Sequence, residues 1–154
     1  MTVALNASAL QALEYVHCGV QVSRATTAMS TGLALFNVTG GRVLIPLILG
    51  EVTTIMEAAP SACKLQADPT TGTTNDLCGT VEMNAAEAGT MITISGLVAG
   101  AMVLGKSGGV SAQGCPVIVN TGHIEMSMVA PLNGSIKWDL WYLPLDTGAT
   151  VTAA

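Results

Sequence analysis

Ser135-Ile136-Lys137-Trp138-Asp139-Leu140-Trp141-Tyr142-Leu143 is the stretch on which the fold turns. Successive side chains of an extended chain point to opposite faces, so Ile136, Trp138, Leu140 and Tyr142 share one side, and Lys137, Asp139 and Trp141 the other. A strand with one strongly apolar face has to bury it against a second layer. The run before it has the same period: within His123 to Ala130, Ile124, Met126 and Met128 alternate with Glu125 and Ser127. Pro116 to Asn120 reads as a further strand. The turns Asn120-Thr121-Gly122 and Leu132-Asn133-Gly134 separate the three, and Asn133-Gly134 is a type I′ signal because both residues tolerate positive φ. The expectation is a three-stranded meander.

Toward the N-terminus the strand signals continue. Leu33 to Val38, Thr39-Gly40-Gly41 and Arg42 to Ile48 read as two strands around a glycine turn, with Pro46 marking an edge or a bulge. Glu51 to Met56 follows Gly50 as another strand. Ala62 to Ala67 and Leu77 to Met83 flank the turn-rich Asp68 to Asp76, a hairpin-type connection, and Thr90 to Ser95 is β-branched and alternating. Gly96 to Gly114 is a looser Gly/Ala/Ser excursion with a short apolar piece at Leu97 to Leu104. The tail Asp146 to Ala154 is small and polar and reads as a surface end or a subunit contact. Asn6 to Val16 alone carries helix signals: Ser8 and Gln11 resemble a capping box, and Leu10, Leu13 and Val16 or His17 fall on one side. It suits a short helix or an extended arm equally.

About eight to ten strands punctuated every ten residues or so describe an all-β domain, an antiparallel sandwich or barrel of jelly-roll-like kind. The division expected is an N-terminal arm over residues 1–24 and a β domain over 25–154.

Composition narrows the function. Half of the 154 residues are hydrophobic and only 10% are charged, against about 25% in typical soluble domains. A monomer with so few charges has difficulty solvating its outside, which points to burial against other subunits. The net charge of −5 and the scattered Arg24, Arg42, Lys64, Lys106 and Lys137 offer no basic patch for phosphates, so nucleic acid is not an expected partner. Ile94 to Gly105 is too short and too glycine-rich for a membrane helix, and no Lys or Arg precedes Arg24 to make the charged start of a secretory leader.

Chemistry is sparse. Cys18, Cys63, Cys78 and Cys115 form no C-x-x-C pair, and His17 and His123 are far apart in sequence, so no zinc or iron-sulfur set is legible. Cys63 and Cys78 could face each other across a hairpin; in a reducing cytoplasm they are expected as free, buried thiols. His17 beside Cys18 is not an activated thiol without a partner, and His123, just after a turn glycine, reads as a solvent or interface residue. The Asp68 to Asp76 loop offers several oxygens, the one place calcium is worth considering, yet its spacing matches no EF-hand. The remaining carboxylates read as solvating charges. Gly100-Ala101-Met102-Val103-Leu104-Gly105-Lys106-Ser107 fits G-x-x-x-x-G-K-[ST], but such a loop needs a helix after it, and Gly108-Gly109 denies one. The expectation is therefore no catalytic, cofactor-binding or metal residue and no enzyme.

Phe36-Asn37-Val38-Thr39-Gly40-Gly41-Arg42-Val43 through Leu49-Gly50-Glu51-Val52-Thr53-Thr54, Lys64 to Gly72, and Gly134 to Ala149 resemble the small decoration or cement proteins of tailed-phage heads. The likeness covers most of Leu33 to Ala154 and leaves the N-terminal arm outside. It implies a β-sandwich or barrel, a homotrimer at or near threefold positions on the capsid exterior, and the major capsid protein as partner. It transfers no active-site residues. The expected function is thus a virion structural protein, made in the host cytoplasm, that stabilises the shell through many modest contacts. Met1 to Arg24 and Gly96 to Gly114 are the segments expected to make them. The alternatives are a tail- or fibre-associated module that binds a host surface, and a P-loop nucleotide-binding protein.

Overall fold

The computed structural model describes residues 19–106 and 108–154. The described residues contain no helix and form β1 (Val20–Ala28), β2 (Leu33–Thr39), β3 (Val43–Thr54), β4 (Lys64–Pro69), β5 (Asn75–Asp76), β6 (Met91–Thr93), β7 (Val103–Gly105), β8 (Val117–Val119), β9 (Gly122–Ser127), β10 (Ser135–Pro144) and β11 (Thr150–Ala153). Sheet A has the order β1-β10-β3-β6-β7, with β8 also on β3; sheet B has the order β11-β2-β9-β4-β5. Every ladder between these strands is antiparallel. The all-β expectation holds, and of sandwich and barrel it is the sandwich: both sheets are open and end in edge strands. The helix-or-arm reading of Asn6 to Val16 lies outside the described residues. Residues 20–24, expected to end the arm, form the first part of β1 and pair with β10 from Val20↔Tyr142 to Arg24↔Trp138.

The core lies between the sheets. β10 alternates as its sequence demands: Ile136, Trp138, Leu140 and Tyr142 are buried, while Lys137, Asp139, Trp141 and Leu143 are half-buried on the other side. Val43, Ile45, Ile48 and Val52 of β3 join them, and Leu35, Phe36 and Val38 of β2, Leu65 of β4 and Ile124 and Met126 of β9 face them from sheet B. Each such side chain contributes about 1.5–3 kcal/mol by leaving water.

The pairing expected from the turns is corrected. β8, β9 and β10 are no meander: β8 pairs with β3, β9 with β2 and β4, and β10 with β1 and β3. Asn133 does not have positive φ, so Asn133-Gly134 is not a type I′ turn; Gly134, at φ 133°, belongs to a crossover from sheet B to sheet A. The Thr39-Gly40-Gly41 turn likewise joins β2 in one sheet to β3 in the other, and is no hairpin. Only the Asp68 to Asp76 connection closes the expected hairpin, β4 against β5. The tail, expected to be small and polar, supplies β11, which pairs with β2 and buries Val151; Ala149, just before it, is buried too.

β3 was expected as two strands broken at Gly50 and is one strand of 12 residues. Gly50 lies within it, and a Cβ there would lie 2.9 Å from the Trp138 ring. Pro46 sits at a bulge, where the register with β10 shifts between Trp141 and Leu143. On the opposite edge of β3 it falls in the gap between β8, which pairs with residues 43–45, and β6, which pairs with residues 49–51. The Gln113 side-chain amide fills that gap: Nε2 donates to Ile45 O at 3.1 Å, and Ile48 N donates to Oε1 at 3.3 Å. One side chain thus stands in for a missing piece of strand.

Candidate interaction surfaces

The outer face of sheet A is built from cross-strand pairs on β3 and β10: Leu44 with Leu143, Leu47 with Trp141, Leu49 with Asp139, and Glu51 with Lys137. Ile118 of β8 stands beside Leu44 and is 63% exposed; Leu145, just past β10, is 45% exposed. β3 and β10 thus put large apolar side chains on both faces, the pattern of strands covered on both sides. At β7 and β6 the Gly109 carbonyl lies against Gly105, and Thr93 is buried. Trp141, Leu47, Leu44 and Leu143 are half-buried on this face, and Ile118 is exposed.

The charges on this face come in pairs. At one end Lys137 Nζ lies 2.8 Å from Glu51 Oε2. At the other, Arg42 grips Asp146 with Nε and Nη2 at 2.9 and 2.7 Å, and the Arg42 amide donates to the same carboxylate at 2.8 Å. Asp139, between them, accepts from Ser23 Oγ and Gln21 Nε2.

A second surface is one end of the sandwich, where residues 55–63, 83–90 and 128–134 are tied together. Met56 N donates to Ala86 O, Glu57 N to Asn133 O and Val129 N to Ser61 O, each at 2.9 Å. Ile55 and Val129, 58% and 79% exposed, project from this end among Ala, Pro and Gly.

The residues weighed for chemistry are dispersed. His17 and Cys18 lie outside the described residues. His123 is exposed on β9, with Nδ1 2.8 Å from Asn37 Oδ1. Cys63 and Cys78 are free and buried, as expected, and burial raises both thiol pKa values; Cys115 is free and exposed. Asp68 accepts from Thr74, and Asp76 from Lys64 and Gln66; the described residues hold no cluster of three or more groups able to ligate a metal. In the G-x-x-x-x-G-K-[ST] stretch, Val103–Gly105 is strand β7, paired with β6, so its amides are not gathered into a phosphate cradle. Lys106 instead lines a cavity of about 270 Å³ with Ala85, Ala86, Glu87 and Thr90. Within the Gly96 to Gly114 segment, Leu97 and Val98 are exposed, whereas Met102 is buried. Arg24 faces inward across from Trp138; burial lowers its pKa, and its Nε and the Trp138 Nε1 have no acceptor among the described residues.

The ion pairs and the loop end set an acid limit. Hydrogen bonds from the Arg42 side chain and backbone hold Asp146 well below the usual carboxylate range. Lys64 and Gln66 lower Asp76, and Glu82 is lowered by the Ser61 and Ala62 amides that donate to it, at 2.7 and 3.2 Å. A carboxylate depressed in the folded state stabilises fully above its unfolded pKa, here 3.8 for Asp and 4.5 for Glu, and loses that contribution as pH falls through the folded value. Thermal midpoints should hold steady from about pH 7 to 5 and fall below about pH 4. Asp146→Asn should flatten part of that fall, and an unchanged acid slope would remove Asp146 from the account.

No protein-family model, curated protein or solved structure matches the chain. Among the described residues no helix is long and apolar enough to cross a membrane. The class that the fold defines is an all-β sandwich; among the described residues Ile55 and Val129 at one end, and Ile118 and Leu145 beside the outer face of sheet A, are large exposed apolar side chains.

Proposed function

We propose that this chain is a structural subunit of a tailed-phage virion, a decoration or cement protein that binds the major capsid protein on the outside of the head as a homotrimer and is made in the host cytoplasm. The observation that supports this most is the presence of exposed apolar side chains at two separate places, Ile118 and Leu145 at the outer face of sheet A and Ile55 and Val129 at the loop end. A subunit that stiffens a shell needs contacts of two kinds, with copies of itself and with the lattice, and exposed apolar area rimmed by polar groups suits both. Per-copy affinity can stay modest, because many copies act together.

The test is co-sedimentation of purified chain with undecorated heads. The native chain should pellet with heads at saturable stoichiometry. Val129→Asp and Ile55→Asp, which set a charge on the loop end without touching the core, should weaken binding at least tenfold, about 1.4 kcal/mol. A native chain that stays in the supernatant at all concentrations would overturn the reading.

A further inference from the structure

We infer that the outer face of sheet A binds a second copy of this chain face to face, around a twofold axis that lies in the sheet plane, crosses the strands and passes beside Trp141. This deepens the proposed function by naming the partner of one surface, and it rests on that reading for the claim that the face is covered.

The charge layout is self-complementary. β3 is preceded by a cation, Arg42, and carries an anion, Glu51, nine residues later; β10 carries a cation, Lys137, and is followed nine residues later by an anion, Asp146. The strands are antiparallel, so each end of the ladder holds one cation and one anion, seen as the pairs Arg42–Asp146 and Lys137–Glu51. A half-turn about the axis across the strands lays the Arg42 of one copy over the Glu51 of the other, and Lys137 over Asp146. The midpoints of the two spans fall between Pro46 and Leu47 and between Trp141 and Tyr142; Leu47 and Trp141 are a register pair, so Trp141 lies beside its own counterpart next to the axis. Leu44 of one copy then lies over Leu49 of the other. An isologous contact requires a patch that matches itself under this rotation, and two sheets packed this way sit about 10 Å apart with interdigitated side chains. Asp139, the remaining charge on the face, keeps its Ser23 and Gln21 donors.

The contact pairs copies. It therefore adds to a threefold association, giving six chains in dihedral symmetry where both form and two where it acts alone.

Two double variants test the charge layout while each keeps its own intramolecular ion pair: Glu51→Lys with Lys137→Glu, and Arg42→Asp with Asp146→Arg. Circular dichroism and thermal melts establish that each is folded; solution mass by light scattering and sedimentation velocity is then read for the full chain. The native protein should have an even multiple of the 15.6 kDa chain mass. Each swapped variant alone places like charges over each other and should show half the native mass. An equimolar mixture of the two restores opposite charges at all four positions and should recover it. Should either swap fail to fold, Trp141→Glu, which sets two carboxylates together at the axis, should halve the mass by itself.

A native mass of one or three chains, or swaps that leave the mass unchanged, overturns the inference. A monomer that loses thermal stability in Trp141→Glu would overturn it in favour of cover from within the same chain. Loss of head binding with pairing intact would sink the proposed function and leave this contact standing; a trimer that binds heads regardless of the swaps would do the reverse.

Discussion

Trp138→Ala should lower the folding free energy by about 3–5 kcal/mol, the range for truncating a buried aromatic. Trp138 is fully buried at the centre of β10, between β1 and β3, and its six-membered ring covers Gly50. No residue nearby can fill the space, because the position opposite has no side chain. In a chain of this length about 1 kcal/mol moves the thermal midpoint by roughly 2–4 °C, so a fall of about 6–20 °C is expected by calorimetry. Trp138→Phe should cost clearly less than Trp138→Ala. It keeps most of the ring, and it removes an indole N–H that has no acceptor among the described residues, a group whose burial carries its own penalty. Equal losses in the two variants would mean that the indole N–H is satisfied after all, by residues 1–18 or by water.

Gly122→Ala should be nearly as damaging despite adding one methyl group. Gly122 starts β9 between Val38 of β2 and Pro69 of β4, with φ at 149°. A Cβ there would sit 2.2 Å from Asp68 O and 2.6 Å from Pro69 Cα, both backbone atoms of the adjacent strand. Forcing a side chain into this conformation costs about 1–3 kcal/mol, and overpacking adds about 1–3 kcal/mol more. Thermal or urea unfolding should show a loss of several kcal/mol. Gly109→Ala, whose Cβ would enter open space, serves as the control and should be close to neutral. A neutral Gly122→Ala would show that β4 can move away from β9, against the close pairing of the two strands in sheet B.

These variants test a scaffold whose strands were largely legible and whose pairing was not. The period-2 runs of β9 and β10 identified which side chains go inside, down to the half-buried Trp141. Turn residues marked where strands end. They did not say which strand lies beside which, since a strand with one apolar face alternates identically whether its neighbour in sequence lies next to it in one sheet or faces it across the core. Val151 and Ala149 gave β11 too few apolar positions to stand out. The Gln113 plug carries no local signal, because its partners Ile45 and Ile48 are more than sixty residues away.

The candidate surfaces divide in the same way. The shortage of charge by itself pointed to burial against other subunits, and the alternation along β10 by itself put Trp141 with Lys137 and Asp139 on the side away from the core. Only the tertiary structure put β3 and β10 in adjacent antiparallel register, brought Arg42 to Asp146 and Lys137 to Glu51, and set Trp141 beside Leu47 on the outer face of sheet A. The physical reason is one of range. Side-chain alternation and turn preference are set by neighbours a few bonds away, whereas register and surface are decided by which long-range pairing buries the most apolar area while satisfying the backbone.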